Sequence, residues 1–306
     1  MRSAILLLSA AGVLAGCGSS AAPGRAQVPG LDRVSGEVSA IEVELGGADL
    51  ASVRGPAGWV VVGAAIDAGR VAGGAAPECA LRRTPSGALA AQTSRCAALL
   101  GAYAALDRAR GFLLAAGAEA LSAAPIVADA ADAPAGVSYV PEADAYTLGG
   151  GPAGARVPAA LNPGAVARSA ARRQLRALAQ AHPDEAEAVA LFLGAAAAAD
   201  PGYLAASDAG GDPTGELDLS RPLAAGAPAA AVFAGALWAW ADASGDLNFA
   251  AKAALAAARA IGQRSDGGGP AALLSFVAGQ LDGAERDQAC AVFRARLASS
   301  GIEACP

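Results

Sequence analysis

Beyond residue 17 the chain carries four cysteines, Cys79, Cys96, Cys290 and Cys305, which fall as two close pairs far apart in the sequence. Four cysteines allow three pairings. Joining Cys79 to Cys96 and Cys290 to Cys305 closes a short local loop in each case. Each closure would stabilise the fold by about 3 kcal/mol on the chain-entropy account. The competing reading is four free thiols, and the choice turns on whether the chain meets an oxidising compartment.

The N-terminus answers that question. Arg2 supplies a positive start, and residues 4–13 form an apolar run interrupted only by Ser9 and Gly12. A membrane span needs about 20 apolar residues, so this run is too short to cross and fits a signal-peptide core. Leu14-Ala15-Gly16-Cys17 follows at once and resembles a bacterial lipobox. That resemblance implies cleavage of residues 1–16 and lipidation of Cys17. Two acyl chains anchor stably where one binds only weakly. Residues 17–32, with Gly18 to Gly30 rich in Ser, Ala, Gly and Pro, read as the lipidated cysteine and a flexible tether. Gly18 does not match an inner-membrane retention signal, which favours the outer membrane of a cell envelope over the inner. Later apolar runs such as 195–199 are mostly alanine, so the positive mean hydropathy reports alanine content and not a spanning protein.

The remaining residues, 33–306, suffice for one large domain or two small ones. The net charge is −6 with no basic cluster, which argues against nucleic acid as a partner. Residues 33–72 read as strands, with rough alternation through Val38, Ile41, Val43 and Leu45 and a turn at Gly46-Gly47. Residues 96–116 keep helical spacing through Leu99, Tyr103, Leu106 and Leu113. Residues 137–148 read as a hairpin turning at Pro141-Glu142-Ala143-Asp144. Gly149-Gly150-Gly151-Pro152 is a loop; no Lys-Ser/Thr follows it, so it is not a phosphate cradle. From Asn162 onward helices dominate, at 163–181, from Pro183, and near 226–241, 246–262, 270–281 and 284–299. The expected fold class is therefore α+β, with a β-rich N-terminal part (33–160, one helix) and a helical C-terminal part (161–306).

The helix at 163–181 is the main clue. On a helical wheel, Leu175, Leu178, Ala171 and Ala179 form the apolar side, and Ser169, Arg173, Arg176 and Gln180 the polar side. Arg168 falls within about 20° of Leu175, and Arg172 within about 60°. Two arginines one turn apart thus sit on or beside the face that should be buried. A buried unpaired charge is costly, so they need partners, or a snorkelling route to water at the rim of the core.

The run Asn162-Pro163-Gly164-Ala165-Val166-Ala167-Arg168-Ser169-Ala170-Ala171-Arg172 resembles the active helix of exported bacterial gluzincin-like lipoproteins, related to the thermolysin-like zinc metallopeptidases. Their helix reads Asn-Pro-Gly-Val-Val-Ala followed by His-Glu-x-Gly-His. Arg168 stands at the first His, Ser169 at the Glu and Arg172 at the second His. Tyr139-Val140-Pro141 is similar to an extended segment upstream in the family. Glu187-Ala188-Val189-Ala190-Leu191-Phe192 resembles its next helix, Glu-Gly-x-Ala-Asp-Phe. Asp200-Pro201-Gly202-Tyr203-Leu204 and Phe233-Ala234-Gly235-Ala236-Leu237-Trp238 resemble later segments. The resemblance spans roughly 97–242. It implies a gluzincin-like fold and a peptide groove between the Tyr139 segment and the 163–181 helix.

It also implies that the chemistry is gone. In the family both His and the Glu at the position of Glu187 bind zinc, and the Glu at the position of Ser169 is the general base. Guanidinium has no lone pair to offer and a permanent positive charge. An unactivated Ser hydroxyl is not basic at neutral pH. Leu191 stands where a supporting acid is expected. The one histidine, His182, sits at a helix start and cannot complete a three-ligand site. Arg168 or Arg172 paired with Glu187 is the expected substitute for the metal.

Other chemistry finds little support. Ser169 lacks a nucleophile-elbow sequence, and the sole lysine, Lys252, is distant in sequence. The run from Asp242 to Asn248 lacks the closing Glu of a calcium loop and reads as a turn between helices. Trp238 and Trp240 read as core. No catalytic residue, metal or cofactor is expected. The partners expected are the membrane, through lipid, and a peptide or protein ligand. The function that follows is a lipid-anchored envelope protein with an inactive metallopeptidase-like domain, for binding or structure. The competing readings are an active peptidase with non-standard ligands and a passive structural lipoprotein.

Overall fold

In the computed structural model the described residues are 24–31, 38–128, 136–149, 162–203, 218–222, 227–263, 269–300 and 302–305. The expected signal segment, Cys17, residues 18–23 and the expected loop from residue 150 onward lie outside them. The described part is a mixed α+β structure whose strands precede its helical part, apart from one early helix.

The first strand corrects the tether reading. Residues 24–31 are not a loose linker: β1 (Gly24–Leu31) pairs antiparallel along its whole length with β2 (Val38–Leu45). The reason is a period-2 alternation hidden in small residues. Ala26, Val28 and Gly30 face inward and are buried, while Arg25 faces out and pairs with Glu42. β1 also meets β7 (Leu89–Ala91) in parallel, and β7 pairs with β6 (Leu81–Arg83), giving a four-stranded sheet.

The second sheet holds the site. Its order is β3 (Arg54–Gly55), β4 (Gly58–Asp67), β8 (Ala124–Ala128), β10 (Ala145–Gly149) and β9 (Gly136–Val140), with β5 (Arg70–Ala75) also on β4. β4–β8 and β8–β10 are parallel; β10–β9 is the expected antiparallel hairpin. Strand β9 ends the sheet. Helix α1 (Ser94–Ala115), capped by Thr93, buries Leu99, Leu100, Tyr103, Leu106 and Leu113 between the sheets and the helical part.

The expected helix at 163–181 is broken in two. α2 (Pro163–Gln174) ends at Leu175, whose ψ of 10° departs from helical geometry, and α3 (Arg176–Ala181) follows. α4 (Pro183–Ala198) is apolar almost all round, with Ala188, Val189, Ala190, Phe192, Leu193 and Ala195 fully buried. A helix of that kind belongs at the centre, and α4 packs against α2, α3, α5 (Ala229–Ser244), α6 (Leu247–Gly262) and α7 (Gly269–Gly279). α8 (Gly283–Leu297) closes the bundle against α5. Trp240 and Trp238 lie in the core. The segment after α5 is a turn between helices: Gly245 ends α5 and Asp246 caps α6 through Phe249 N. No helix among the described residues is long and apolar enough to cross a membrane.

Both expected disulfides are present. Cys79–Cys96 ties the segment after β5 to the first turn of α1, and Cys290–Cys305 ties α8 to the tail.

Candidate functional site

Asn162 sets the start of α2. Its Oδ1 accepts from Gly164 N at 3.0 Å and Ala165 N at 3.1 Å, satisfying two of the orphan donors of a helix start. Its Nδ2 donates to the Tyr203 carbonyl at 2.6 Å. The ring of Tyr203 fills the space between α2 and α4 beside two glycines. A Cβ on Gly164 would fall 2.4 Å from that ring, and one on Gly194 2.7 Å from its hydroxyl. These small residues let α2 and α4 lie close enough for their side chains to meet.

At that meeting Arg168 and Arg172, one turn apart on α2, both reach Glu187 on α4. Arg168 Nε donates to Glu187 Oε1 at 2.8 Å, and its Nη2 donates to the same oxygen. Arg172 donates from Nε to Oε2 at 2.7 Å and from Nη2 to Oε1 at 2.9 Å. The side chains of Arg168, Glu187 and Arg172 are 14%, 24% and 38% exposed. The expected pair is therefore a trio of two cations on one carboxylate. Burial pushes the Glu187 carboxyl upward, but the two guanidiniums outweigh it and hold it below the ordinary glutamate range.

Ser169 and Arg173, expected on a polar face, are buried. The cause is that α2 is covered by α4, by α1 and by β9 of the hairpin. Each polar group is matched there. Ser169 Oγ donates to the Val137 carbonyl at 2.7 Å. Arg173 donates from Nε and Nη2 to the two oxygens of Asp144, both at 2.8 Å, and from Nη1 to the Ser122 carbonyl. Ala179, expected inside, is exposed, because α3 restarts after the break.

Asp144 is the residue the sequence reading missed as more than a turn. It sits in the hairpin turn at φ 44°, a conformation Asp tolerates. Besides Arg173 it accepts from Tyr139 Oη at 2.9 Å, and Arg176 Nη1 lies 3.8 Å away. The bonds from Arg173, opposed by burial, bring its carboxyl down to about 2. Burial and the bond to Asp144 push the Tyr139 phenol up. The only sequence signals for this network were an acid in a turn and an arginine on a helix.

A cleft of about 690 Å³ opens beside the trio, lined by Tyr139, Pro141 and Glu142 on one side and by Arg172, Arg176 and Glu187 on the other. It coincides with the groove expected between the Tyr139 segment and the 163–181 helix. Because the Val137 carbonyl points off the sheet toward α2, the two-residue alternation of a strand turns the Tyr139 N–H and carbonyl the same way. The remaining candidates lie apart from this site. His182 is a buried helix-start residue 3.9 Å from Glu185, and Lys252 is exposed on α6.

The chain matches no known protein-family model, no curated protein and no solved structure. Zinc, the metal that the sequence resemblance implies, does not fit these residues. Arg168 and Arg172 present only donors, and both oxygens of Glu187 are engaged by them. Among the described residues no three of His, Cys, Asp and Glu cluster to hold a metal ion.

Proposed function

We propose that this chain is an exported, lipid-anchored envelope protein with a gluzincin-like domain that has lost zinc chemistry and keeps the groove for binding peptide. One observation carries the reading. The three residues aligned with the zinc ligands of the family, Arg168, Arg172 and Glu187, converge on one point as an ion trio. An arginine pair closed on a glutamate holds the two helices together as a metal would, without offering a site for an activated water. The neighbouring cleft, with the outward backbone of Tyr139 at its edge, suits an extended segment laid along β9.

Metal restoration tests the alignment. Arg168→His with Arg172→His leaves Glu187 as a third ligand, two His one turn apart being able to share an ion. The double variant should bind one equivalent of zinc, and the unaltered exported chain less than about a tenth of one. Tight stoichiometric zinc in the unaltered chain would overturn the reading, and so would a folded double variant that takes up none. Ser169 is left alone in this test because its hydroxyl holds the Val137 carbonyl.

A further inference from the structure

We infer that the cleft takes its peptide by a carboxylate, held between Arg172 and Arg176. This rests on the peptide-binding reading above and names the ligand chemistry of the same site. The two arginines flank the break at Leu175, one on α2 and one at the start of α3, and both line one cavity. Arg172 spends Nε and Nη2 on Glu187; among the described residues nothing accepts from its Nη1, and its side chain is 38% exposed. Arg176 is half exposed; it lies beside the Tyr139 hydroxyl and 3.8 Å from Asp144, which is already doubly bonded by Arg173. Arg172 is thus fixed at one end and open at the other, and Arg176 stands beside it with its guanidinium half exposed.

Among the residues that line the cleft, Arg172 and Arg176 match Glu142 and Glu187 in number, and both oxygens of Glu187 are already engaged by Arg168 and Arg172. Glu142 stands on the lip and opposes an anion, but it is exposed to water, which screens it. The trio holds the Arg172 guanidinium in place before any ligand arrives, so little ordering of that side chain is left for binding. A guanidinium that presents planar donors matches a carboxylate. The volume admits a few residues of extended chain running from the Tyr139 edge to the two arginines. The carboxylate can come from a peptide C-terminus or from an acidic side chain.

Three pentapeptides decide this by calorimetry with the exported chain: Ala-Val-Ala-Leu-Ala as the free acid, the same peptide amidated, and amidated Ala-Val-Ala-Glu-Ala. The free acid should bind at least about tenfold more tightly than its amide, as expected for charge-assisted bonds. Recovery of that affinity by the Glu peptide would identify the side chain as an equivalent source; no recovery would identify the C-terminus. Arg176→Gln, which leaves the Glu187 trio and the Arg173–Asp144 pair intact, should abolish most of the preference. Equal binding of acid and amide would overturn the carboxylate inference and leave the peptide reading standing. No binding of any of the three at millimolar concentration would overturn both.

Discussion

Replacing Glu187 by Gln removes the anion that the Arg168 and Arg172 guanidiniums share while keeping the shape of the side chain. Each arginine donates to the carboxylate at 2.7–2.9 Å, which puts the charge centres about 4 Å apart. At an effective dielectric of about 20 each attraction is about 4 kcal/mol. Desolvating three ions consumes several kcal/mol per ion, so the net worth of the trio is small. Its asymmetry is large, however. With the carboxylate gone, both attractions vanish and the two cations repel at close range. A fully buried case costs about 3–5 kcal/mol. Arg172 is 38% exposed and can turn to water, so its share is discounted, and about 2–3 kcal/mol remains. With a urea slope of about 3 kcal/mol/M for a domain of this size, the midpoint of unfolding should fall by nearly 1 M. The assay is urea unfolding by circular dichroism and Trp fluorescence, disulfides intact. The triple variant Arg168→Met, Arg172→Met, Glu187→Met, which removes all three charges, should stay within about 1 kcal/mol of the unaltered chain. The pH dependence has a definite sign. Glu187 titrates below its unfolded value, so the advantage over Gln is complete above the ordinary glutamate range and is lost as pH falls through the depressed value. A midpoint shift under about 0.2 M for Glu187→Gln would refute the reasoning, as would a triple variant less stable than the single one.

Asp144→Asn strands the guanidinium of Arg173, 7% exposed, with the Ser122 carbonyl as its remaining strong acceptor. Thermal unfolding should show a loss of about 2 kcal/mol. The Asp144 contribution should be present above the ordinary aspartate range near 3.9 and fade as pH falls through about 2. Gly164→Ala drives a methyl to 2.4 Å from the Tyr203 ring and should cost about 1–3 kcal/mol, whereas Gly46→Ala, with nothing within 4 Å, should leave the melting temperature unchanged. Cys290→Ser with Cys305→Ser opens a loop of 15 residues and should lower stability by about 3 kcal/mol in a reversible unfolding measurement. Cys17→Ser should release the protein from washed membranes into the soluble fraction, as an immunoblot would read, if Cys17 bears the lipid.

Much of this protein was legible in its sequence because the signals were local. The disulfide pairing followed from loop length. The Asn162-Pro163 cap announced α2, and His182-Pro183 announced α4. The turn at residues 141–144 announced the hairpin, and the run from Asp242 to Asn248 the link between α5 and α6. Where a local signal was weak, the reading failed. β1 alternates through Ala26, Val28 and Gly30, residues too small to stand out from a tether until β2 and β7 supply its partners.

The site divides in the same way. A wheel drawn on the sequence placed Arg168 and Arg172 toward the interior, and alignment by motif pointed them at Glu187. A wheel assumes one buried face, however, and α2 is covered by α4, by α1 and by β9 of the hairpin. Ser169 and Arg173 are buried because Val137, Asp144 and Ser122, 29 to 51 residues earlier, present the oxygens they need. Residue type and spacing determined which groups carry charge and which turns they occupy. Only the packing of α2 among α1, α4 and the hairpin decided which charges face one another, because a hydrogen-bond partner distant in the chain leaves no periodic trace in the sequence around the donor.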